Sequence, residues 1–389
     1  MVRRVGLTAF VAAGAAAAIA ASAVARPTAP AVSAAAAASC KGGVSIGMLA
    51  PITGPAGSIG SDQLHWAQFF FNNWNKKSKL KIKLVQGDTQ LDPAKASTVA
   101  QQFASNGKIM GVIGPAGSDE VIAVAPILRK AGLVFASGSA TRVSLTNGDW
   151  KGFFFRDVPN DGVQGPTAVN FMFSDLGLKS GQKVMVVDDQ EAYSTGLADI
   201  VGQRLSGRGV SVDRESISQK ATDFSSLIAK VDSNTKVVYL PFQLASQAQL
   251  FAQQLKAQGK SAVVFGSDGT FDSSKFNVAG NYISFFAPDV TTIGANAALV
   301  ASFNKQFPGG TSPFGAPNYV LGQMYATALV NSCRDNRITR AEVRRNLAKV
   351  KLAKTIFGQP IRFTATGDVA NAKFFIFRIE SGGTYKTVG

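Results

Sequence analysis

Residues 109–141 constrain the fold of this chain more than any other stretch. Ile109–Ile113 is a short apolar run that stops at Gly114-Pro115-Ala116-Gly117. Ser118-Asp119-Glu120 then opens a helix, with a hydroxyl at the N-cap and acids in the first turn. Residues 133–136 read as the next buried strand, and Ser137-Gly138-Ser139-Ala140-Thr141 leaves its carboxyl end. Strand, helix and strand in that order ask for a parallel sheet, where ligands sit beyond the carboxyl ends of the strands. Two neighbouring ends here carry glycines, hydroxyls and a helix N-terminus, chemistry that holds a small anion such as a carboxylate. Taken alone, Ser118 also reads as a helix cap, and Ser139 and Thr141 as loop residues.

The same alternation extends in both directions. A strand at 44–49 precedes a helix near 61–75, where Leu64, Ala67, Phe71 and Trp74 share one face. A strand follows at 80–85, then a helix opened by Asp92-Pro93 and stopped by Gly107. Residues 153–155 are apolar but unaccompanied. From 163 to 266 a second β/α unit of similar size follows. Its helices fall at 163–176, 195–206, 223–232 and 245–257, and its strands at 184–187, 210–217, 237–240 and 262–265. Residues 283–287 cross again, and helices near 295–306, 318–332 and 339–349 come next. The tail, 361–368 and 374–379, reads as a β-hairpin. The expected fold is α/β, with two Rossmann-like lobes re-entered late by the chain: a hinged clamshell with its ligand in the cleft. The expected N-terminal lobe is 41–155 with 288–369, and the C-terminal lobe 156–287 with 370–389.

Residues 1–39 stand outside this pattern. Arg3 and Arg4 precede an alanine-rich apolar run, and small residues offer cleavage at Ala23-Val24-Ala25 or just before Cys40. This is an export signal, with a retained membrane anchor as the alternative. No later stretch is long and apolar enough to span a bilayer. The formal net charge is +16, which invites a nucleic-acid partner. The basic residues are scattered, however, as in Lys76-Lys77-Ser78-Lys79, Arg129-Lys130 and the helix-face alternation over 334–345, and none is interleaved with aromatics. Nucleic acid is therefore set aside.

Catalytic constellations fail one by one. Gly43-Val44-Ser45-Ile46-Gly47 matches the nucleophile elbow in letters, but Ser45 falls inside a strand. His65, the single histidine, sits early in the first helix. Gly54, Gly57 and Gly60 miss the dinucleotide spacing, and no phosphate-loop lysine motif is present. Two cysteines and one histidine, far apart, give no metal-ligand spacing. Asp188-Asp189 and Asp268 with Asp272 are possible acid pairs, for which turn roles are the default. The residues favour binding without a cofactor over catalysis.

At Gly54-Pro55, Gly114-Pro115-Ala116-Gly117-Ser118, Ser139-Ala140-Thr141, Asp188-Asp189 to Tyr193, Gly266-Ser267-Asp268-Gly269 and Phe357-Gly358-Gln359-Pro360-Ile361-Arg362-Phe363, the chain resembles the leucine/isoleucine/valine-binding family. These are solute-binding subunits of ABC importers with the type I periplasmic-binding-protein fold. The resemblance covers about 44–380 and rests on the ordered set of motifs. It implies an exported, monomeric protein of the periplasm or cell surface that passes an amino acid or similar small solute to an ABC permease. A ligand-binding sensor module of the same fold is the alternative. It further implies that Ser118, Ser139 and Thr141 hold the ligand carboxylate, Asp268 takes the ammonium, Tyr193 helps close the second lobe and Phe314 lines the side-chain pocket. Physical chemistry agrees, since a buried acid needs a cationic partner. The departures fall at the side-chain end: Ile59 replaces a first-loop aromatic, Phe242 or Gln243 a second-lobe aromatic, and Asp268 is a methylene shorter than glutamate. A cysteine pair that bridges loops in some members is absent.

Cys40 and Cys333 are expected to form a disulfide. Cys40 precedes the first strand, at the sheet edge away from the cleft, and the helix from about Asn318 runs some 22 Å towards that same edge. Lipid attachment to Cys40 is the competing fate. It is not favoured, because Ala37 is a poor residue for a lipoprotein box and no Gly/Ser-rich tether follows.

Overall fold

The computed structural model of the chain describes residue 1 and residues 42–148, 150–309, 312–333 and 337–389. The expected leader, apart from Met1, and Cys40 lie outside the described residues.

Five parallel strands form the first sheet: β1 (Gly42–Ala50), β2 (Leu80–Asp88), β3 (Ile109–Ile113), β4 (Val134–Ser137) and β5 (Phe154–Arg156), in the order β2-β1-β3-β4-β5. The unaccompanied segment at 153–155 thus largely becomes the edge strand β5, with the Phe154 ring 5.2 Å from that of Phe135 on β4. Helices α1 (Gly57–Lys77), α2 (Pro93–Ser105) and α3 (Ser118–Lys130) connect the strands. Asp92 caps α2, accepting from Ala94 N at 2.8 Å and Lys95 N at 3.0 Å. The helix α1 starts at Gly57, ahead of the expected position. Its glycines mark a close approach rather than a loop, since a Cβ on Gly60 would lie 2.2 Å from the Pro51 carbonyl oxygen.

The chain then enters the second sheet through α4 (Asp161–Ser174). Strands β6 (Lys183–Asp188), β7 (Ser211–Ser216), β8 (Thr235–Leu240), β9 (Val263–Gly266) and β10 (Tyr282–Phe285) alternate with α5 (Ala192–Ser206), α6 (Ser225–Ala229) and α7 (Ala245–Ala257). It returns to the first sheet for α8 (Ala297–Gln306), α9 (Ala316–Ser332), α10 (Arg340–Leu347) and a separate pair, β11 (Lys351–Leu352) and β12 (Ile361–Arg362). It crosses back once more to add β13 (Phe375–Ile379) and β14 (Tyr385–Thr387), giving the order β14-β13-β10-β9-β8-β6-β7. The expected hairpin of 361–368 with 374–379 is therefore corrected. β12 pairs with β11, while β13 pairs antiparallel with β10 on one side and β14 on the other.

Each sheet is packed on both faces by apolar side chains. The helix α9 is apolar all round and almost wholly buried, as such a helix must be. Its Tyr325 hydroxyl donates to the Val112 carbonyl at 2.7 Å, locking the helix to β3. Where the chain passes between the sheets, the fully buried Arg156 reaches Asp368 at 2.7 Å and donates to the carbonyls of Ala140 at 3.1 Å and Arg142 at 2.7 Å. Cys333, just past α9, is disulfide-bonded.

Candidate functional site

Both sheets reverse strand order once, between β1 and β3 and between β6 and β8. Such switch points open a crevice at the carboxyl ends of the strands. Here the two crevices face one another across a cavity of about 40 Å3. From the first sheet it is lined by Pro51 after β1, Leu91 after β2, Ala116, Gly117 and Ser118 after β3, and Ser139 and Ala140 after β4. From the second come Tyr193 after β6, Gln243 after β8, and Asp268 and Gly269 after β9, with Ile59 and Phe314 closing the wall.

The hydroxyl end is built by two strand-end loops. Gly114 has φ +95°, and a Cβ there would meet the Leu49 carbonyl oxygen at 2.0 Å, so the turn after β3 requires glycine. The helix α3 is capped differently from the sequence expectation. Gly117 is the N-cap and its N–H donates to Glu120 Oε2 at 2.7 Å, so Ser118 is the first helical residue and its hydroxyl is not committed to capping. Ser118 Oγ accepts from Arg142 N at 3.3 Å. The buried Ser137 hydroxyl donates to the Pro115 carbonyl at 2.6 Å and accepts from Ser139 N at 3.2 Å and Ala140 N at 2.9 Å. This pins the loop after β4 to the loop after β3. Burial pushes Glu120 up to about 7.

The opposite end is acidic. Asp268 Oδ1 accepts from Tyr193 Oη and from Gln164 Nε2, each at 2.6 Å. Among the described residues no cation pairs with Asp268, and burial raises it to about 6. Behind it lies Asp161, fully buried, with neither carboxyl oxygen in a hydrogen bond among the described residues. Burial first, and the negative charge of Asp268 second, push Asp161 up to about 8. The Thr141 hydroxyl lies close enough to Asp161 to temper that rise, without forming a hydrogen bond. Among the described residues Gln164 Oε1 and Tyr239 Oη are also buried without a hydrogen bond of good geometry, Tyr239 with the Ser284 hydroxyl nearby. Unpaired buried polar groups are costly, and this group consists mainly of acceptors. It is suited to a bound cation.

Of the residues expected at the site, Ser118, Ser139, Tyr193, Asp268 and Phe314 all line the cavity. Thr141 is buried behind its wall. Phe314 is held edge-on by Phe285 at 4.9 Å and Phe286 at 5.6 Å. Leu91, Gln164, Asp161 and Asp119 were not singled out by sequence. Asp161 stands in Asn160-Asp161-Gly162, letters that by themselves read as a turn. Asp119, at the start of α3, reaches across the cleft. Its Oδ1 accepts from Ala192 N at 2.5 Å and its Oδ2 from Gln243 Nε2 at 3.0 Å. Ser58 Oγ donates to Asp272 at 2.9 Å, and Lys275 Nζ donates to the Pro55 carbonyl at 3.2 Å, so the cleft is bridged at its rim too.

Apart from Asp268, the residues weighed for catalysis sit elsewhere or hold structure. His65 stacks on Phe307 at 4.5 Å. Asp188 pairs with Arg214 and accepts from Ser216 Oγ at 2.8 Å, and Asp189 accepts from Gln243 N at 2.8 Å. Ser45 lies inside β1. Among the described residues no His/Cys/Asp/Glu cluster has metal-binding geometry, and no helix is long and apolar enough to cross a membrane.

Comparison with known proteins places this architecture. The periplasmic binding protein family matches residues 43–384. An amino acid binding protein of Pseudomonas aeruginosa is 26% identical over 354 residues, which is 88% of this chain and 91% of that protein. Two solved structures share the fold. The branched-chain amino acid transporter substrate-binding protein LivJ of Streptococcus pneumoniae, in complex with isoleucine, superimposes with a TM-score of 0.77 at 22% identity, covering 89% of this chain and 99% of that one. A solute-binding protein of an ABC transporter from R. palustris, in complex with benzoate, gives 0.76 at 19% identity, covering 90% and 96%. Both sheets and the cleft between them fall within the matched span, and the chain belongs to the periplasmic binding protein family.

Proposed function

We propose that this protein captures an amino acid, or a small solute with the same carboxylate and ammonium pair, in the interlobe cleft and delivers it to an ABC importer. One observation carries the reading: Asp268 is buried at the cleft wall with two hydrogen-bond donors and, among the described residues, no cation, in the cavity that Ser118 and Ser139 also line. An ionised carboxylate in that position is stabilised by a charged donor arriving with the ligand. In this reading Ser118 and Ser139, with Thr141 behind them, take the carboxylate. Tyr193 orients Asp268, and Phe314 packs against the side chain. The hinge separates 41–155 and 288–369 from 156–287 and 370–389. The leader at 1–39 exports the protein, which acts as a monomer and without catalysis. The solute chemistry is supported by the P. aeruginosa relative, whose name is that of an amino acid binder.

A thermal-shift screen of the common amino acids tests this. Free ligand at 100 times its dissociation constant adds about 2.7 kcal/mol of stability, a clear rise in melting temperature. If no amino acid moves the transition while a carboxylate without an amino group does, the ammonium role of Asp268 is wrong.

A further inference from the structure

The loop between β2 and α2 holds two consecutive residues in the left-handed region, Gln90 at φ 52° and Leu91 at φ 60°. For an L-residue with a branched side chain this conformation is rare, and it persists only where the surroundings over-determine it. They do so here. Gln90 N donates to Asp88 Oδ1 at 3.1 Å, Gln90 Nε2 donates to Thr53 Oγ1 at 3.0 Å, and Thr89 N donates to the Ala50 carbonyl at 2.9 Å. The brace ties the strained pair to the end of β1. Its effect is to hold the Leu91 side chain in the cavity wall. Leu91 is half-buried and joins none of the hydrophobic cores, so core packing does not account for the strain. Its Cδ1 lies 3.0 Å from the position a Cβ on Gly117 would occupy, so it presses onto the backbone at the start of α3, beside Ser118.

The space left is small. The cavity is about 40 Å3, against roughly 150 Å3 for a dry apolar cavity that takes up benzene. Ile59, Ala116 and Phe314 wall the same space, and Phe314 is held edge-on against the neighbouring rings of Phe285 and Phe286. Leu91 is thus a large apolar group at the wall held by a loop rather than by a core. We infer that Leu91 sets the size limit of the site, restricting the solute to an amino acid with a short side chain, on the scale of glycine, alanine or serine. This rests on the amino-acid reading above and narrows it.

Calorimetric titration of the full exported chain with glycine, alanine, serine, valine, leucine and phenylalanine tests it. The wild-type protein is expected to bind one of the three smallest most tightly, with leucine and phenylalanine weaker by about tenfold or more. Leu91→Ala is expected to move the preference towards valine and leucine. Leu91→Gly is expected to do the same with its backbone strain relieved, since glycine accepts φ 60° freely. If wild-type protein binds leucine as tightly as alanine, or if folded variants keep the wild-type ranking, Leu91 is not the limit, although the amino-acid reading survives. If no member of the series binds, the size limit falls, and the thermal-shift screen of the remaining amino acids decides the amino-acid reading separately. Should one variant misfold, the other carries the test, and a wild-type protein that binds leucine as tightly as alanine overturns the inference without either.

Discussion

Asp268 concentrates the chemistry of the cleft in one side chain. Replacing it with asparagine keeps the shape and both donors but removes the charge, so Asp268→Asn should weaken binding of an amino acid by about 1.5–3 kcal/mol, the scale of a charged hydrogen bond. Calorimetry showing equal affinity would remove Asp268 from the site. The pH dependence follows from the same group. Its folded-state value of about 6 lies above the ordinary 3.8. In the empty protein its contribution to stability is therefore greatest at pH below 3.8 and is lost as pH rises through about 6. Ligand binding has the opposite sign. An ammonium pairs only with the ionised carboxylate, so capture below about pH 6 must expel a proton, and affinity should climb up to that pH and level off above it. Asp161, which faces it with Tyr193 and Tyr239, is pushed to about 8 and keeps its proton through this window. Titration in buffers of different ionisation enthalpy measures the proton count, and zero release near pH 5 would contradict the assignment. Much of the candidate site was legible in the sequence, since Ser118, Ser139, Tyr193, Asp268 and Phe314 line the cavity and most of them follow strand ends in a recognisable order. Leu91 and Asp161 were not. A left-handed φ leaves no letter-level mark on a leucine, and an aspartate in an Asn-Asp-Gly stretch reads as a turn whether or not its carboxyl is buried.

The helices α3 and α5 form the next level. Their first turns meet across the cleft, where Asp119 accepts from the Ala192 N–H and from Gln243, and Arg142 donates to the Ala192 carbonyl. One carboxylate from the first sheet thus holds two groups of the second. Asp119→Ala should leave the Asp268 end intact yet weaken binding by about 1–3 kcal/mol, mainly through faster release. Stopped-flow dissociation and small-angle scattering would follow it: an unchanged release rate and an unchanged radius of gyration would mean that the contact is passive. The elements themselves were legible where a period and its punctuation agree. The helix α7 has the expected 245–257 bounds, and Asp92-Pro93 opens α2. The terminal strands were not. Alternation over 361–379 announces strands but not their partners. The partners were decided by the free edge of β10, which takes β13, and by the short connection that folds β14 back onto β13.

The whole molecule depends on how its chain crossings and its far edge are tied. Arg156 ends β5 and binds Asp368 on the return path, with carbonyls from the β4 loop filling its other donors. Removing it takes the cation from Asp368, which keeps hydrogen bonds from Thr146, Asn160 and Thr366, and leaves those carbonyls without its donors, so Arg156→Met should destabilise the fold by about 2–4 kcal/mol in urea denaturation. A loss below about 1 kcal/mol would show that water replaces it. The disulfide acts at the other extreme. The helix α9 starts two residues past Phe314 at the cleft and runs 17 residues, about 25 Å, to end beside Cys333 at the distant edge. Cys333 is disulfide-bonded, and the only other cysteine in the sequence, Cys40, stands just ahead of β1. A bridge between them closes a loop containing nearly the whole folded chain, worth roughly 5 kcal/mol in the chain-entropy description. Cys333 follows α9, whose far end packs in the core of the first sheet away from the cavity, so a bridge made there is expected to constrain unfolding rather than the cleft. Reduction should therefore add about two daltons to the intact mass, lower the melting temperature and leave ligand affinity unchanged. Free thiols before reduction, or a diacylglyceryl adduct on Cys40, would rule the bridge out. A fall in affinity on reduction would show that the far edge is coupled to the cleft.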